Sequence, residues 1–117
     1  TICIDCGIVE GLDYTDDKTQ IHYTSDAQFI ATGMNKNISL NFISDTPQRT
    51  FTTVRSFPEV KKNCYTLRHP EGRNTIYLIR ASFMYGNYDE SNKLPQFDLY
   101  IGVNLWDSVM FDNTTHV

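Results

Sequence analysis

Apolar and polar residues alternate along much of this sequence with a period of two, which is the pattern of a β-strand. The clearest example is residues 97–103, where every second side chain is apolar: Phe97, Leu99, Ile101 and Val103. Residues 75–85 are largely apolar on both faces, as expected of a central strand that is covered on two sides. Together with a shorter run at 105–111, these segments predict strands toward the end of the chain.

Earlier segments predict further short strands between turn residues, at 1–5, 21–26, 49–57 and 63–68. Residues 31–42 predict irregular structure, and the Pro and Gly within 69–74 predict a tight turn. A helical turn is expected only near 25–33, with Ser25 or Asp26 as its N-cap. Many short strands separated by turns predict an all-β protein built as a β-sandwich or jelly roll.

Length, composition and charge narrow the functional classes. A chain of 117 residues has the usual length of one domain, which we place at residues 1–117. The net charge of −4 gives no general attraction to phosphate backbones, so nucleic acid is not an expected partner. No apolar run is long enough to span a membrane. The sequence has neither an initiator Met nor a signal peptide, which indicates a processed or excised piece.

Three cysteines are disulfide candidates, namely Cys3, Cys6 and Cys64. In an extended segment Cys3 and Cys6 point to opposite faces, which disfavours a bond between them. With His69 they could supply a zinc site, but zinc ligands normally come in pairs from tight turns. The acidic residues within 13–17 similarly favour a solvated turn over a calcium site. We therefore expect structural cysteines and no cofactor.

The sequence carries no established catalytic motif, and its histidines are far apart: His22, His69 and His116. A nucleophile elbow, a zinc-protease helix and a nucleotide-binding loop are all absent from it. Two carboxylates that meet in space for glycoside hydrolysis stay an open alternative, because they need not be neighbours in sequence. We predict that this chain is not an enzyme.

Two features point to an extracellular binding surface. N-x-S/T sequons begin at Asn37 and Asn113 and predict N-linked glycans. The segment after the predicted central strand combines aromatic rings with short polar groups: Tyr85, Asn87, Tyr88 and Asp89. Sugars offer C–H faces to such rings and hydroxyls to such polar groups, so this segment is a candidate ligand-binding site. In the alternative interpretation, Gly86 and Asn87 only form a turn and Tyr85 anchors the strand end.

Five longer strings make the sequence similar to one family: "ICIDCG", "YTDDKTQIHYTSDAQFI", "VRSFPEVKKNCYTL", "YLIRASFMYGNYD" and "LPQFDLYIGVNLWDSV". They resemble the malectin-like ectodomain of plant leucine-rich-repeat receptor-like kinases. The resemblance implies a malectin-type β-sandwich outside the plasma membrane, in a single-pass receptor with a cytoplasmic serine/threonine kinase. The kinase motifs themselves are absent from this sequence.

The resemblance also suggests residue roles. Animal malectin, a more distant relative, binds glucose disaccharide units through aromatic residues and an Asp on loops at one end of the sandwich. Its aromatic loop would correspond to Tyr85 to Tyr88 here, and an aromatic in an early strand would fall near Tyr23. The family module continues past Val117 through further strands, and a cysteine there could pair with Cys6 or Cys64. The resemblance therefore implies a fragment that lacks the last strands of its sandwich.

Three hypotheses follow for function. The first is a recognition module for an oligosaccharide or peptide, acting with a co-receptor, and it predicts an exposed aromatic cluster at one end of the sandwich. The second is a structural protein-interaction domain, and it predicts that Tyr85 and Tyr88 are buried as packing residues. The third is a glycan-active enzyme, which needs two carboxylates about 5–10 Å apart in a cleft.

Overall fold

The computed structural model describes residues 1–43, 48–59, 61–68 and 76–111 of the chain. Seven strands make up most of its regular structure: β1 (Ile4–Asp5), β2 (Asp13–Thr15), β3 (His22–Ser25), β4 (Met34–Asn37), β5 (Thr53–Ser56), β6 (Gln96–Ile101) and β7 (Asn104–Met110). Helical structure in this part of the chain is limited to short pieces: α1 (Leu40–Ile43) and the 3₁₀ turns Asp26–Gln28 and Arg49–Phe51. The fold is all-β, which confirms the predicted class.

The chain divides into two compact units. The first falls within residues 1–37 and 53–81 and contains β1 to β5, and the second falls within 38–52 and 82–117 and contains β6 and β7. Among the described residues, few apolar side chains are buried: Ile8 in the first unit, and Ile38, Met84 and Tyr85 in the second. Polar contacts therefore carry much of the local order described below.

In the first unit, β3 lies between β1 and β2, parallel to β1 and antiparallel to β2. Asp16 closes the β2–β3 connection, because its carboxylate accepts hydrogen bonds from the backbone N–H and the hydroxyl of Thr19 at 3.0 and 2.7 Å. After β3, Ser25 caps the first 3₁₀ turn by accepting a hydrogen bond from the Ala27 N–H at 3.1 Å. The predicted N-cap at Ser25 is confirmed.

Strands β4 and β5 form a second antiparallel pair, in which Asn37 lies opposite Thr53. Two side chains connect this pair to other segments of the same unit. The hydroxyl of Thr53 donates to the Cys6 carbonyl at 3.1 Å, and Nδ2 of Asn35 donates to the Ile8 carbonyl at 3.2 Å. The β4–β5 pair is thereby held against the chain that follows β1.

In the second unit, β6 and β7 form a hairpin with a two-residue loop, Gly102–Val103. Gly102 has φ of +62° at the first loop position, where glycine is favoured in such hairpins. The register shifts after Leu99, so that Trp106 becomes the extra residue of a β-bulge. Strands predicted at 97–103 and 105–111 are confirmed, with slightly different ends.

Two predicted strands are wrong. The described part of the proposed central strand, residues 76–85, forms no strand, and Ile76 and Leu78 are 98% and 92% exposed. Residues 63–68 form none either. Apolar and β-branched residues favour a strand, but a strand also needs a neighbour for its backbone groups. No described strand pairs with either segment.

A third prediction failed in the opposite direction. Residues 31–42 were expected to be irregular, yet they contain β4 and the start of α1. Strand β4 forms because β5, from later in the chain, supplies its hydrogen-bonding partner. The turn predicted at 69–74 lies outside the described residues.

Candidate functional site

The predicted ligand-binding segment is a compact loop of the second unit, residues 85–92, which we name the Tyr85 loop. Tyr85 is only 1% exposed, and its hydroxyl contacts three side chains of the same loop. These are Asn87 through Oδ1 at 3.1 Å, Ser91 through Oγ at 2.9 Å, and the Asp89 carboxylate. The Tyr85 hydroxyl therefore holds the loop together from inside.

The backbone of the Tyr85 loop adopts a conformation that is unusual for residues other than glycine. Asn87, Glu90 and Asn92 have φ of 50, 56 and 57°, in a region that Asn tolerates and that costs other L-residues, such as Glu, roughly 1–2 kcal/mol. Reciprocal amide contacts oppose this cost. Asn87 Oδ1 accepts from the Asn92 N–H at 3.0 Å, and Asn87 Nδ2 donates to Asn92 Oδ1 at 2.9 Å. Such strained conformations persist where neighbouring contacts hold them, and they cluster at functional sites.

Several side chains of the loop reach the surface, among them Tyr88 and Asp89 of the predicted ligand-binding set. Tyr88 is half-buried and packs edge-to-face on Tyr85, with ring centroids 5.5 Å apart and an interplanar angle of 81°. Asp89 is exposed. The loop is anchored at its start, where the Ser39 N–H donates to the Gly86 carbonyl at 2.8 Å. The burial of Tyr85 agrees with the packing alternative, whereas Tyr88 and Asp89 lie where a ligand could reach them.

Charge in the loop is set by the contact between Tyr85 and Asp89. Burial, followed by the hydrogen bond to the Asp89 carboxylate, raises the pKa of Tyr85. Burial also acts to raise the pKa of Asp89, but hydrogen bonds from the Tyr85 hydroxyl and from the Ser91 N–H outweigh it and leave that pKa lowered. Asp89 is therefore a carboxylate at neutral pH and can accept hydrogen bonds from hydroxyl or amide groups of a ligand.

Tyr23, the fifth predicted ligand-binding residue, belongs to the first unit. It lies half-buried in β3 and stacks on Tyr14, with centroids 5.6 Å apart and planes 29° from parallel. The Tyr14 hydroxyl donates to Asp5 Oδ2 at 2.6 Å, which fixes the Tyr14 ring of this stacked pair. Burial, and then nearby negative groups, raise the pKa of Tyr23. The predicted ligand set is thus divided, with Tyr23 in one unit and the Tyr85 loop in the other.

A buried carboxylate network in the first unit was not predicted from the sequence. Asp26 is 0% exposed and accepts a forked pair of hydrogen bonds from Arg55, from Nε at 2.5 Å and from Nη2 at 2.8 Å. The Tyr65 hydroxyl donates to the same carboxylate at 2.7 Å, and the Gly7 N–H donates at 3.2 Å. A lone Arg in β5 is the only sequence signal, and it does not identify its partner.

Burial and hydrogen bonding in this network shift the pKa values of its titratable side chains. Burial raises the pKa of Asp26, but the Arg55 and Tyr65 hydrogen bonds outweigh burial, so the pKa of Asp26 is lowered overall. The hydrogen bond to Asp26 raises the pKa of Arg55. Burial is the main reason that the pKa of Tyr65 is raised and that the pKa of the Cys6 thiol reaches about 11. Asp26 and Arg55 therefore remain a charged pair at neutral pH.

The remaining predicted sites have separate positions. Cys3 and Cys6 are half-buried, Cys64 is exposed, and all three are free thiols. No group of potential ligands in the described residues could hold a metal ion. Asn37 is an exposed residue of β4. The candidate zinc ligand His69 and the candidate glycosylation site Asn113 lie outside the described residues.

These features define an all-β domain with a polar, aromatic loop. A family model for the malectin-like domain matches residues 4–117. A putative leucine-rich repeat receptor-like serine/threonine-protein kinase of Arabidopsis thaliana is 52% identical over 99% of this chain and 13% of its own length. A putative leucine-rich repeat receptor-like protein kinase and a probable LRR receptor-like serine/threonine-protein kinase, both from Arabidopsis thaliana, are 48% and 50% identical over the same shares. No solved structure matches.

The chain belongs to the malectin-like domain family, as the sequence strings indicated. It spans only about 13% of the length of the curated relatives that it matches. The kinase domain of such relatives lies outside the matched segment, so this segment is not shown to be catalytic. In the described residues, no helix is both long and apolar enough to cross a membrane.

Proposed function

We propose that this chain is an extracellular recognition module of a plant receptor-like kinase, and that the Tyr85 loop contacts a saccharide ligand. The relatives are receptor-like kinases, which supports a position on the outer side of the plasma membrane in a single-pass receptor. The observation that carries the proposal is that Tyr88 and Asp89 belong to a loop whose positive-φ backbone is held by internal hydrogen bonds.

Tyr88 and Asp89 suit the two surfaces of a sugar. The half-buried ring of Tyr88 offers an aromatic face or edge to the C–H groups of a pyranose, while its packing on Tyr85 limits its motion. The exposed Asp89 carboxylate accepts hydrogen bonds from Tyr85 and Ser91 at Oδ1, and a carboxylate has further lone pairs that can accept from sugar hydroxyls. Tyr85 acts as a positioning residue in this proposal.

Rigidity matters because ordering side chains on binding opposes affinity by about 0.5–1.5 kcal/mol for each immobilised chain. In the Tyr85 loop, the hydroxyl of Tyr85 and the Asn87–Asn92 amide pair already fix the groups that surround the accessible side chains. A saccharide would therefore meet an ordered surface. This preorganisation favours recognition over a loop that only connects two segments.

A glycan-array screen of the intact protein that carries this chain tests the proposal. Binding to a cell-wall or glucan oligosaccharide should be lost in Tyr88→Ala, because the ring that contacts the sugar is removed. Tyr100→Ala is the matched control, since Tyr100 is a tyrosine of the same unit that is 53% exposed in β6. Equal loss in both variants, or no binding by a folded wild-type protein, would reject the saccharide role.

A protein partner is the second candidate, and a different observation favours it. The β6–β7 hairpin exposes large apolar side chains that could pack on another protein: Phe97, Tyr100, Leu105, Trp106 and Met110. A peptide ligand or co-receptor that binds there should respond to Trp106→Ala and not to Tyr88→Ala. Cross-testing the two variants against each ligand therefore distinguishes the two functions. We propose no catalytic role for this chain.

A further inference from the structure

We propose that Ile38 is a positioning residue for the Tyr85 loop, because its side chain fixes the backbone at the start of that loop. Ile38 lies directly after β4 and is only 3% exposed. It belongs to the second unit, as the loop does. The consequence for ligand binding rests on the proposed function, whereas the contact between Ile38 and the loop does not.

Ile38 meets the loop at Gly86. This glycine is buried and has φ of +59°, a conformation that glycine adopts without steric cost. A Cβ at Gly86 would lie 2.5 Å from Ile38 Cγ2 and 2.7 Å from Ile38 Cβ, which is closer than such atoms approach each other in proteins. The backbone of Gly86 therefore lies directly against the branch point of the Ile38 side chain.

Two backbone hydrogen bonds hold this contact in place. The Ser39 N–H donates to the Gly86 carbonyl at 2.8 Å, which ties the residue after Ile38 to the loop. The Ile38 N–H donates to the carbonyl of Thr52, the residue before β5, at 3.1 Å. Because the backbone that carries the Ile38 side chain is held on both sides, the side chain cannot easily move away from Gly86.

The position of Gly86 decides where the groups of the loop lie. Gly86 directly follows Tyr85, whose hydroxyl contacts the Asp89 carboxylate and whose ring packs against Tyr88. In a densely packed interior, a shift of the Gly86 backbone would move Tyr85 and would weaken both contacts. Ile38 therefore acts on the proposed ligand-binding groups through Gly86, without touching the ligand itself.

Two substitutions at Ile38 separate this contact from burial alone. Ile38→Val keeps Cβ and Cγ2, the two atoms nearest to Gly86, and loses only the terminal methyl group. Ile38→Leu keeps the number of carbon atoms but has a single γ carbon, so the contact through Cγ2 is lost. Ile8→Leu is the matched control, because Ile8 is a buried isoleucine of the first unit.

Two measurements on the intact protein that carries this chain follow the loop. NMR titration of isotope-labelled aspartate carboxylates gives the pKa of Asp89, with its signal assigned through Asp89→Asn. Burial acts to raise this pKa and the Tyr85 hydrogen bond is the first contact that lowers it, so Ile38→Leu should raise it and Ile38→Val should leave it near the wild-type value. Calorimetric titration with a glucan hexasaccharide should show roughly two- to tenfold weaker binding in Ile38→Leu, because a loosened loop must be ordered on binding.

The outcomes separate this inference from the proposed function. An unchanged Asp89 pKa in Ile38→Leu, or an equal rise in Ile8→Leu, would overturn the contact. A larger effect of Ile38→Val than of Ile38→Leu would overturn it too, because the lost volume and not the Cγ2 contact would then matter. If the wild type binds the saccharide and Ile38→Leu binds it equally well, the positioning role fails and the proposed function stands. If the pKa rises only in Ile38→Leu while the folded wild type binds no saccharide, the proposed function fails and the contact stands.

Discussion

The substitution Arg55→Met tests whether the buried Asp26 carboxylate organises the first unit. The side chain of Asp26 is 0% exposed and that of Arg55 is 9% exposed. The substitution removes the two hydrogen bonds to Asp26, at 2.5 and 2.8 Å, and the hydrogen bond from Nη1 to the Thr32 carbonyl at 3.2 Å, while it keeps an unbranched apolar stem of similar length. The Tyr65 hydroxyl and the Gly7 N–H then remain as donors to the carboxylate.

The expected loss is large because a buried charge loses its partner. Breaking a buried pair on one side costs about 3–5 kcal/mol, which is comparable to about 4 kcal/mol for two charges 4 Å apart at an effective dielectric constant near 20. Protonation of Asp26 limits the loss, since a neutral carboxyl is easier to bury. We therefore expect Arg55→Met to reduce the free energy of unfolding by about 3 kcal/mol at neutral pH.

The pH dependence has a definite sign. In the wild type the pKa of Asp26 is lowered below its ordinary 3.8, so its stabilising effect is present above that value and is lost as the pH falls through the lowered pKa. In Arg55→Met, burial is no longer offset by Arg55, so the pKa of Asp26 should rise and the carboxyl should take up a proton in mild acid. The difference in stability between the two proteins should then shrink from about pH 7 to about pH 4.

Urea unfolding followed by circular dichroism, at both pH values, measures the effect. Arg80→Met is the control, because Arg80 is an exposed arginine of the same unit. Combining Arg55→Met with Asp26→Asn should recover part of the loss, since no charge then remains unpaired. A loss no greater than that of Arg80→Met, or one that stays constant with pH, would refute this account of the network.

Two further predictions concern the loop and the turn after β1. Tyr85→Phe should lower stability by about 0.5–1.5 kcal/mol because the loop loses the hydrogen bonds of the buried Tyr85 hydroxyl, and the pKa of Asp89, followed by NMR titration, should rise; an unchanged pKa would contradict the contact. Gly7→Ala should destabilise more than Gly11→Ala in thermal unfolding: both have positive φ, but a Cβ at Gly7 would meet the Val54 backbone whereas none is near Gly11. Equal losses would show that backbone conformation alone matters there.

Features that depend on near neighbours were predictable from the sequence. The Ser25 cap joins residues two positions apart, and the alternation at 97–103 predicted β6, although it extended that strand through the turn residues Gly102 and Val103. The family was evident from long strings that run through both units. For the cap and the strand, the information lies within one short segment, where periodicity and turn chemistry act directly.

Features that depend on distant partners were not predictable. Asp26 is 29 residues from Arg55 and 39 from Tyr65, and no local pattern links them. The segment 76–85 has the apolar pattern of a strand, but it forms none, because no described strand pairs with it. Propensity describes what a segment can form, and pairing decides whether it does.

The Tyr85 loop shows why a site residue predicted by resemblance needs its burial determined before its role is assigned. An aromatic residue at this position would be counted as a sugar contact, yet Tyr85 is buried and its hydroxyl is engaged within the loop. Tyr85→Ala would remove both the ring and the hydroxyl that holds the loop together. A loss of ligand binding in that variant would therefore not show that Tyr85 contacts the ligand. Tyr85→Phe keeps the ring under Tyr88 and removes only the hydroxyl, whereas Tyr88→Ala removes the accessible ring. Their separate effects on stability and affinity therefore distinguish positioning from contact.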